Sequence, residues 1–303
     1  MTSRARSLER FFAENWQEDM RNIPSDSIEI PTDANFVQQG TGTPVILIHG
    51  IAASLHDWDE FIPELTSHGY ASYALDLLGH GDSPKPASRS YHMDWLFEHF
   101  SRWVISLRLT EPAILIGHSL GGYIALEYAR RVSAWTRGLI LIDPFYSRSQ
   151  LPFLLRQSYS SRNLRGVIVG KTPPWLFRTI VDITSLAMGH SAGALHSLPE
   201  KIRAQTALDY SRTAPGVYNI PNTCEDLTGR LHSISKPALV VWGERDQTLS
   251  PVSFHKLVEL MPHATGASIR AGHVPHQSHA GWFNALALAF LKNLPVTTSI
   301  RSS

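Results

Sequence analysis

An α/β fold built on a mostly parallel sheet is the class that this 303-residue sequence predicts. Short runs rich in Ile, Leu and Val alternate with longer helix-like stretches along most of the chain. Most of these runs are apolar on both faces, as strands are in a parallel sheet that helices cover on both sides. The alternation stops between residues 145 and 236 and then resumes, so we expect one sheet domain interrupted by a mostly helical insertion.

Eight strands and a series of helices follow from this pattern. The strands are predicted at residues 27–30, 35–39, 44–50, 70–79, 113–117, 138–144, 237–243 and 264–270, the first two being short and antiparallel. Helices are predicted at residues 56–69, 92–109, 120–132, 251–261 and 281–294. The insertion therefore leaves after the sixth strand. In open parallel sheets ligands bind beyond the carboxyl ends of the strands, so we expect the insertion to cover the site as a cap.

The domain organisation has three parts. Residues 1–25 are predicted to form an amphipathic helix, because Leu8, Phe12, Trp16 and Met20 recur every fourth residue. Residues 26–144 and 237–303 form the sheet domain, and residues 145–236 form the helical cap. The N-terminal helix carries acidic residues that offset its arginines, which favours packing on the protein's own body over binding a membrane surface.

Composition and charge exclude several functional classes. The formal net charge of +1 gives no reason to expect a nucleic-acid partner, and no stretch is long and apolar enough for a transmembrane segment. Cys224 is the single cysteine, which excludes an internal disulfide and fits a reducing compartment. We therefore expect a cytoplasmic protein, while its oligomeric state stays open.

The segment GHSLGG, at residues 117–122, suggests a nucleophile. Ser119 follows an apolar strand directly and precedes a helix directly, so the chain must turn sharply at this serine. Gly117 and Gly121 leave room for that strained turn, and Gly122 lets the helix approach the sheet. The helix N-terminus adds free N–H groups and a dipole that favour a developing negative charge.

A serine nucleophile needs a base and a group that orients the base. Asp246 and His273 each lie just past a predicted strand, so folding can bring both to the sheet edge that carries Ser119. The backbone N–H groups of Ile51 and Leu120 are suited to hold a tetrahedral oxyanion. The predicted site is thus a Ser119–Asp246–His273 triad with an oxyanion hole, which requires no cofactor.

Six motifs in sequence order resemble those of the α/β-hydrolase superfamily, in particular its capped serine esterases, lipase-like members and haloperoxidase-like branch. They are HG at His49–Gly50, DLLGHGDS at Asp76–Ser83, GHSLGG at Gly117–Gly122, LIDP at Leu141–Pro144, GERD at Gly243–Asp246 and GH at Gly272–His273. The resemblance implies Ser119 as nucleophile, Asp246 as orienting acid and His273 as base. Ser278 stands where many relatives carry a glutamate, and we expect this difference to affect local packing only.

Two other interpretations of the site residues are possible. Asp143 is a rival for the orienting acid, because some relatives place that residue after the corresponding strand. The spacing of His273, His276 and His279 invites a metal site, but Pro275 breaks a helix there and no nearby Cys, Asp or Glu completes a ligand set. The sequence therefore favours Asp246 as the acid and predicts no metal.

The composition of the insertion indicates only the general chemical class of the substrate. It contains eight aromatic residues, which favours a mainly apolar pocket for a small-molecule ester. It also has eleven basic against five acidic residues, so it either attracts anionic substrates or a lipid surface, or is simply a solvated face. The expected function is hydrolysis of carboxylic esters through an acyl-enzyme. A lactonase or a cofactor-free perhydrolase would use the same triad, and a ligand receptor of the same fold that does not turn over stays an alternative.

Overall fold

The computed structural model describes residues 31–88, 90–153, 156–157, 168, 171–187 and 198–295. The predicted N-terminal helix (residues 1–25) and the first predicted strand (residues 27–30) lie outside these ranges. Within the described residues, no helix has the length and apolar character needed to cross a membrane.

A seven-stranded sheet forms the centre of the molecule. Its strands are β1 (Phe36–Gln39), β2 (Thr43–Ile48), β3 (Tyr70–Leu75), β4 (Ala113–His118), β5 (Thr136–Ile142), β6 (Ala238–Gly243) and β7 (Ala264–Ile269). They lie in the order β1-β3-β2-β4-β5-β6-β7, with β1 antiparallel to β3 and every other pair parallel. All seven correspond to predicted strands, which confirms the mostly parallel sheet.

Helices connect and cover the strands. They are α1 (Ile62–Ser67), α2 (Met93–Ser106), α3 (Leu120–Arg131), α4 (Pro174–Ala187), α5 (Glu200–Arg212), α6 (Val252–Leu260), α7 (Pro275–Ser278) and α8 (Ala280–Lys292). One apolar cluster joins α2 and α3 to one face of the sheet, and a second joins α1 and α8 to the other. The central strands are buried on both faces because each face has its own helical layer.

One predicted helix, at residues 56–69, proves to be two shorter elements. A 3₁₀ turn covers Leu55–Trp58, and α1 begins only at Ile62. Ser54 caps the 3₁₀ turn by accepting a hydrogen bond from the N–H of His56. Pro63 has no N–H to donate to a preceding turn, so it fits the first turn of α1 and not the interior of a longer helix.

In its described part, the segment between β5 and β6 contains α4, α5 and three 3₁₀ stretches, Arg148–Gln150, Pro215–Asn222 and Thr228–Ser233. Its C-terminal part joins the main core, because Val217, Ile220 and Leu231 are fully buried there. Backbone hydrogen bonds attach it to the sheet domain: the N–H of Ala214 donates to Gly79, and Gly216 accepts from Tyr91. The described part of this segment is therefore docked on the domain from which it leaves.

Candidate active site

Ser119 lies at the sharp turn between β4 and α3. Its φ of 51° is in the left-handed region, where a non-glycine residue is strained. The neighbouring glycines make the turn possible, because a Cβ at Gly117 would overlap the backbone of Gly121, and one at Gly121 would overlap the carbonyl oxygen of Ile48. The turn holds Ser119 at the carboxyl end of β4, with its N–H donating 2.9 Å to the carbonyl of Ile142 on β5.

His273 connects Ser119 to Asp246. Its Nε2 lies 3.0 Å from the Ser119 Oγ, and its Nδ1 lies 2.7 Å from Oδ2 of Asp246. The two distances fit one tautomer, in which Nδ1–H donates to the carboxylate and Nε2 accepts from the hydroxyl. Three side chains from distant parts of the chain therefore form one hydrogen-bonded line at the edge of the sheet.

The Asp246 carboxylate is buried and fully hydrogen-bonded. Its Oδ1 accepts from the N–H groups of Thr248 at 2.7 Å and Leu249 at 3.1 Å. Burial by itself would raise the pKa of Asp246, but the charge and hydrogen bond of His273 and the two N–H donors outweigh it and lower that pKa below its ordinary value. Asp246 is thus an anion whose orientation the backbone determines.

Asp143, the rival acid, lies in the same neighbourhood but in another state. It is completely buried, its Oδ1 accepts from the N–H of Gly243 at 3.0 Å, and its Oδ2 has no hydrogen-bond partner among the described residues. One carboxylate oxygen of each aspartate lies within 4.8 Å of the other. Burial and the charge of Asp246 raise the pKa of Asp143 well above its ordinary value, which favours the neutral form of this carboxyl.

The backbone that follows β2 lies against the Ser119 turn. A Cβ at Gly50 would come within 3.3 Å of the Ser119 Cβ, so the chain carrying Ile51 passes directly beside the nucleophile position. Leu120 is the first residue of α3, and its N–H is among those a helix leaves without an internal partner. The structure thus brings the two predicted oxyanion donors to the same edge as Ser119.

A second cluster lies behind His273, and sequence reasoning missed it. Nε2 of His118 lies 2.9 Å from the carbonyl oxygen of His273, and Nδ1 of His118 lies 3.4 Å from Oδ2 of Asp57. The His118 and His276 ring centroids are 4.6 Å apart. Nothing in the local sequence links Asp57 to the other two, since it lies in a 3₁₀ turn far from both along the chain.

The imidazole rings of the three histidines at residues 273, 276 and 279 do not face a common point. His273 faces Ser119, His276 is buried against Trp58, and Nδ1 of His279 pairs with Ser278. The expected break at Pro275 takes the form of a new short helix, α7, in which this proline is the first residue. The spacing of three is therefore not a ligand pattern here.

The inserted segment contacts the loop that follows β2 through a buried carboxylate. Oδ2 of Asp209, on α5, accepts from the Ser54 hydroxyl at 3.0 Å, and its Oδ1 accepts from Gln205 at 2.9 Å. Burial, together with the nearby charge of Asp57, raises the pKa of Asp209 to about 7. The contact between insertion and sheet domain is consequently sensitive to pH near neutrality.

More than half of the basic residues that the structure describes in the insertion form ion pairs. Five form ion pairs: Arg178 with Asp182 and Glu200, Arg203 with the same two acids, Arg212 with Asp82, Arg230 with Glu225, and Lys201 with Asp59. The aromatic residues divide: Phe145 and Tyr146 join the main core, Phe177 packs within the insertion, and Phe153 and Trp175 are exposed.

Comparison with known proteins finds one family and many relatives. The family described as "alpha/beta hydrolase fold" matches residues 43–280. A pimeloyl-[acyl-carrier protein] methyl ester esterase of Xanthomonas oryzae pv. oryzae is 26% identical over 270 residues, which is 84% of this chain and 98% of the relative. A solved esterase from Thermogutta terrifontis has a TM-score of 0.71 at 22% identity, covering 86% of this chain and 93% of its own. A bromoperoxidase from Bacillus anthracis has a TM-score of 0.72 at 22% identity, covering 85% and 95%.

Proposed function

The chain belongs to the α/β-hydrolase fold family, and from that premise we propose that it is a serine-dependent hydrolase of carboxylic esters. The observation that carries the proposal is the continuous line of hydrogen bonds from Ser119 through His273 to Asp246, with contacts of 3.0 and 2.7 Å. A buried, anionic orienting group and a strained nucleophile turn are what acyl transfer by a serine requires.

In the proposed first half-reaction, the Ser119 Oγ attacks the ester carbonyl carbon while its proton moves to Nε2 of His273. The carbonyl oxygen becomes an oxyanion, which the N–H groups of Ile51 and Leu120 stabilise. Collapse of this intermediate breaks the bond to the alcohol, and His273 gives its proton to the leaving oxygen. The products of this half-reaction are the alcohol and an acyl group on Ser119.

In the second half-reaction, water attacks the acyl carbon as His273 accepts one of its protons. The second tetrahedral intermediate collapses to the free acid, and His273 returns the proton to the Ser119 Oγ. Asp246 stays anionic throughout, holds Nδ1–H in place and stabilises the imidazolium that forms in both halves. No other reactant than ester and water is consumed.

The substrate class is proposed from the surroundings of Ser119. Ile51 packs on an apolar cluster that contains Leu120, Phe145 and Val217, which favours an apolar acyl or alcohol group. The related Xanthomonas protein, by its name, acts on the methyl ester of a carrier-bound acyl chain, and a methyl ester of an apolar acid is accordingly the first substrate to try. A lactonase would use the same residues and water, with the released alcohol staying attached to the acyl group. A perhydrolase would use hydrogen peroxide in place of water at the acyl-enzyme stage and release a peracid.

The test combines a covalent label with a substrate series. A fluorophosphonate probe is expected to label the wild type with one equivalent and to leave Ser119→Ala unlabelled. Ser278→Ala is the matched control, because this serine lies near the same edge but its hydroxyl bonds, among the described residues, only to Val274 and His279. Steady-state rates with p-nitrophenyl esters of increasing chain length then measure the size of the pocket. Labelling that persists in Ser119→Ala, or a single turnover without steady state, would contradict a serine esterase.

A further inference from the structure

His118 has a donor and acceptor arrangement that its protein neighbours do not resolve. Its Nε2 lies 2.9 Å from the His273 carbonyl oxygen, which can only accept, so Nε2 carries a proton. In a neutral ring Nδ1 then has a lone pair, yet it faces Oδ2 of Asp57, which is also an acceptor. Their separation of 3.4 Å exceeds the roughly 2.7–2.9 Å of a charge-assisted hydrogen bond.

His276 shows a second anomaly at the same place. The residue is 3% exposed, and neither Nδ1 nor Nε2 has a hydrogen-bond partner among the described residues. Its ring lies 4.6 Å from that of His118 and 5.2 Å from that of Trp58. Buried polar side-chain atoms nearly always have a partner, so an imidazole with two unpaired nitrogens requires an explanation.

We propose that Asp57, His118 and His276 bind a divalent transition-metal ion of the Zn²⁺ class. One ligand atom from each residue lies within 4.8 Å of the other two. Around a tetrahedral zinc, with bonds of about 2.0–2.1 Å, ligand atoms are about 3.4 Å apart. The His118–Asp57 separation of 3.4 Å already has this value, and the His276 ligand atom lies within 4.8 Å of both. A cation at this position would be bound by the lone pairs of the His118 Nδ1 and the Asp57 Oδ2, and it would give the His276 imidazole a partner.

The groups behind the ligands have the arrangement that metal sites need. His118 donates Nε2–H to a backbone carbonyl, which leaves Nδ1 as the ligand atom. Gln277 donates to Oδ1 of Asp57 at 3.0 Å, which orients the carboxylate and leaves Oδ2 for the ion. Partners of this kind fix the ring tautomer and the carboxylate orientation before the metal arrives.

A path for the ion leads from solvent to Asp57. A small cleft, partly open to solvent, lies between α5 and the turn after β2, and both Asp57 and Gln277 line it. The carboxyl groups of Asp57, Asp59, Glu60 and Asp209 line it too, against the single ammonium group of Lys201. This excess of acidic groups attracts cations towards the cluster.

A bound ion would link three segments of the chain that surround His273, the proposed base. Asp57 lies in the 3₁₀ turn after β2, His118 ends β4 next to Ser119, and His276 lies on α7, three residues after His273. The His273 imidazole itself is not a ligand, so the ion would act on the stability of this edge and not on the bonds of the ester. The proposal is accordingly independent of the proposed function.

The test uses the full chain without a histidine tag, stripped of metal with a chelator and dialysed. Co²⁺ alone is titrated in while its visible ligand-field absorption is followed, and Zn²⁺ is then added to displace it. His276→Phe removes one ligand and keeps a planar ring against Trp58 and Phe283. Asp57→Asn removes the charge. His56→Asn is the control, because His56 lines the same cleft but pairs with Asp59 outside the cluster.

We expect one equivalent of Co²⁺ in the wild type and in His56→Asn, with binding at least about 100-fold weaker in His276→Phe and Asp57→Asn. Bound Zn²⁺ is also expected to raise the Tm of the wild type. Absence of stoichiometric binding by the wild type overturns the proposal without any variant. Undiminished binding in either variant, once circular dichroism shows it folded, overturns it as well; if one variant does not fold, the other decides.

Discussion

The sharpest prediction concerns which aspartate orients His273. Asp246→Asn changes one oxygen for an NH₂ group, and the structure determines how the new amide must lie. The N–H groups of Thr248 and Leu249, at 2.7 and 3.1 Å, both need an acceptor, so the amide oxygen stays with them. The NH₂ group then faces Nδ1 of His273 in place of the Oδ2 that lay 2.7 Å away.

Two donors cannot face each other, so the imidazole must change tautomer. Its Nδ1 becomes an acceptor and its Nε2 carries the proton, which means that Nε2 can no longer take the proton of Ser119. Loss of this function in a Ser-His-Asp triad lowers kcat about 10⁴-fold, equivalent to about 5 kcal/mol of transition-state stabilisation. KM is expected to change little, because Asp246 does not contact the ester in the proposed mechanism.

Asp143→Asn is the matched variant. Burial and the charge of Asp246 raise the pKa of Asp143 well above its ordinary value, which favours the neutral acid, and an amide imitates that form closely. We expect its kcat to stay within about threefold of the wild type, a change below about 1 kcal/mol. Initial rates on a p-nitrophenyl ester measure both variants, with fluorophosphonate titration to count active sites. A large loss in Asp143→Asn with activity kept in Asp246→Asn would reverse the assignment.

Three further outcomes are expected. The folded-state pKa of about 7 for Asp209 lies above its unfolded value, so the stability that this group contributes is lost as pH rises from about 4 to about 7. In urea unfolding, Asp209→Asn should flatten this decline and stabilise the protein at pH 8 by up to about 4 kcal/mol. An unchanged pH dependence of the unfolding free energy would contradict the raised pKa. Gly121→Ala should lower the free energy of unfolding by more than about 3 kcal/mol, because the new Cβ would overlap the Ile48 carbonyl oxygen. Gly281→Ala, at the same position of α8 but with open space around it, should raise the free energy of unfolding by about 0.5–1 kcal/mol. Equal Tm values for the two variants would refute the steric argument. More than half of the described basic residues of the insertion are ion-paired. The kcat/KM for an anionic ester should therefore change less than about twofold between low and high salt, and a steep decline would indicate steering.

The sheet was predictable because its signal is local. Strands β2 to β6 are apolar on nearly every residue, and a run such as Val45–Ile48 has few other ways to avoid water than the centre of a covered sheet. The helix predicted at residues 56–69 was wrong in extent, because the apolar spacing outweighed the effect of Pro63. The paired state of the insertion's basic residues was not predictable, since Arg212 and Lys201 find Asp82 and Asp59 only after docking.

By itself, the sequence determined the order of the elements, the sharp turn at Ser119 and the presence of Asp246 and His273 just beyond strand ends. These features depend on residues that are neighbours along the chain, and backbone sterics and hydrophobic periodicity act at that range. Only the tertiary structure decided that the pKa of Asp143 is raised while that of Asp246 is lowered, and that Asp57, His118 and His276 meet behind His273. Charge state and ligand geometry follow from burial and from distances of a few ångströms between remote residues, quantities that exist only once the chain has folded.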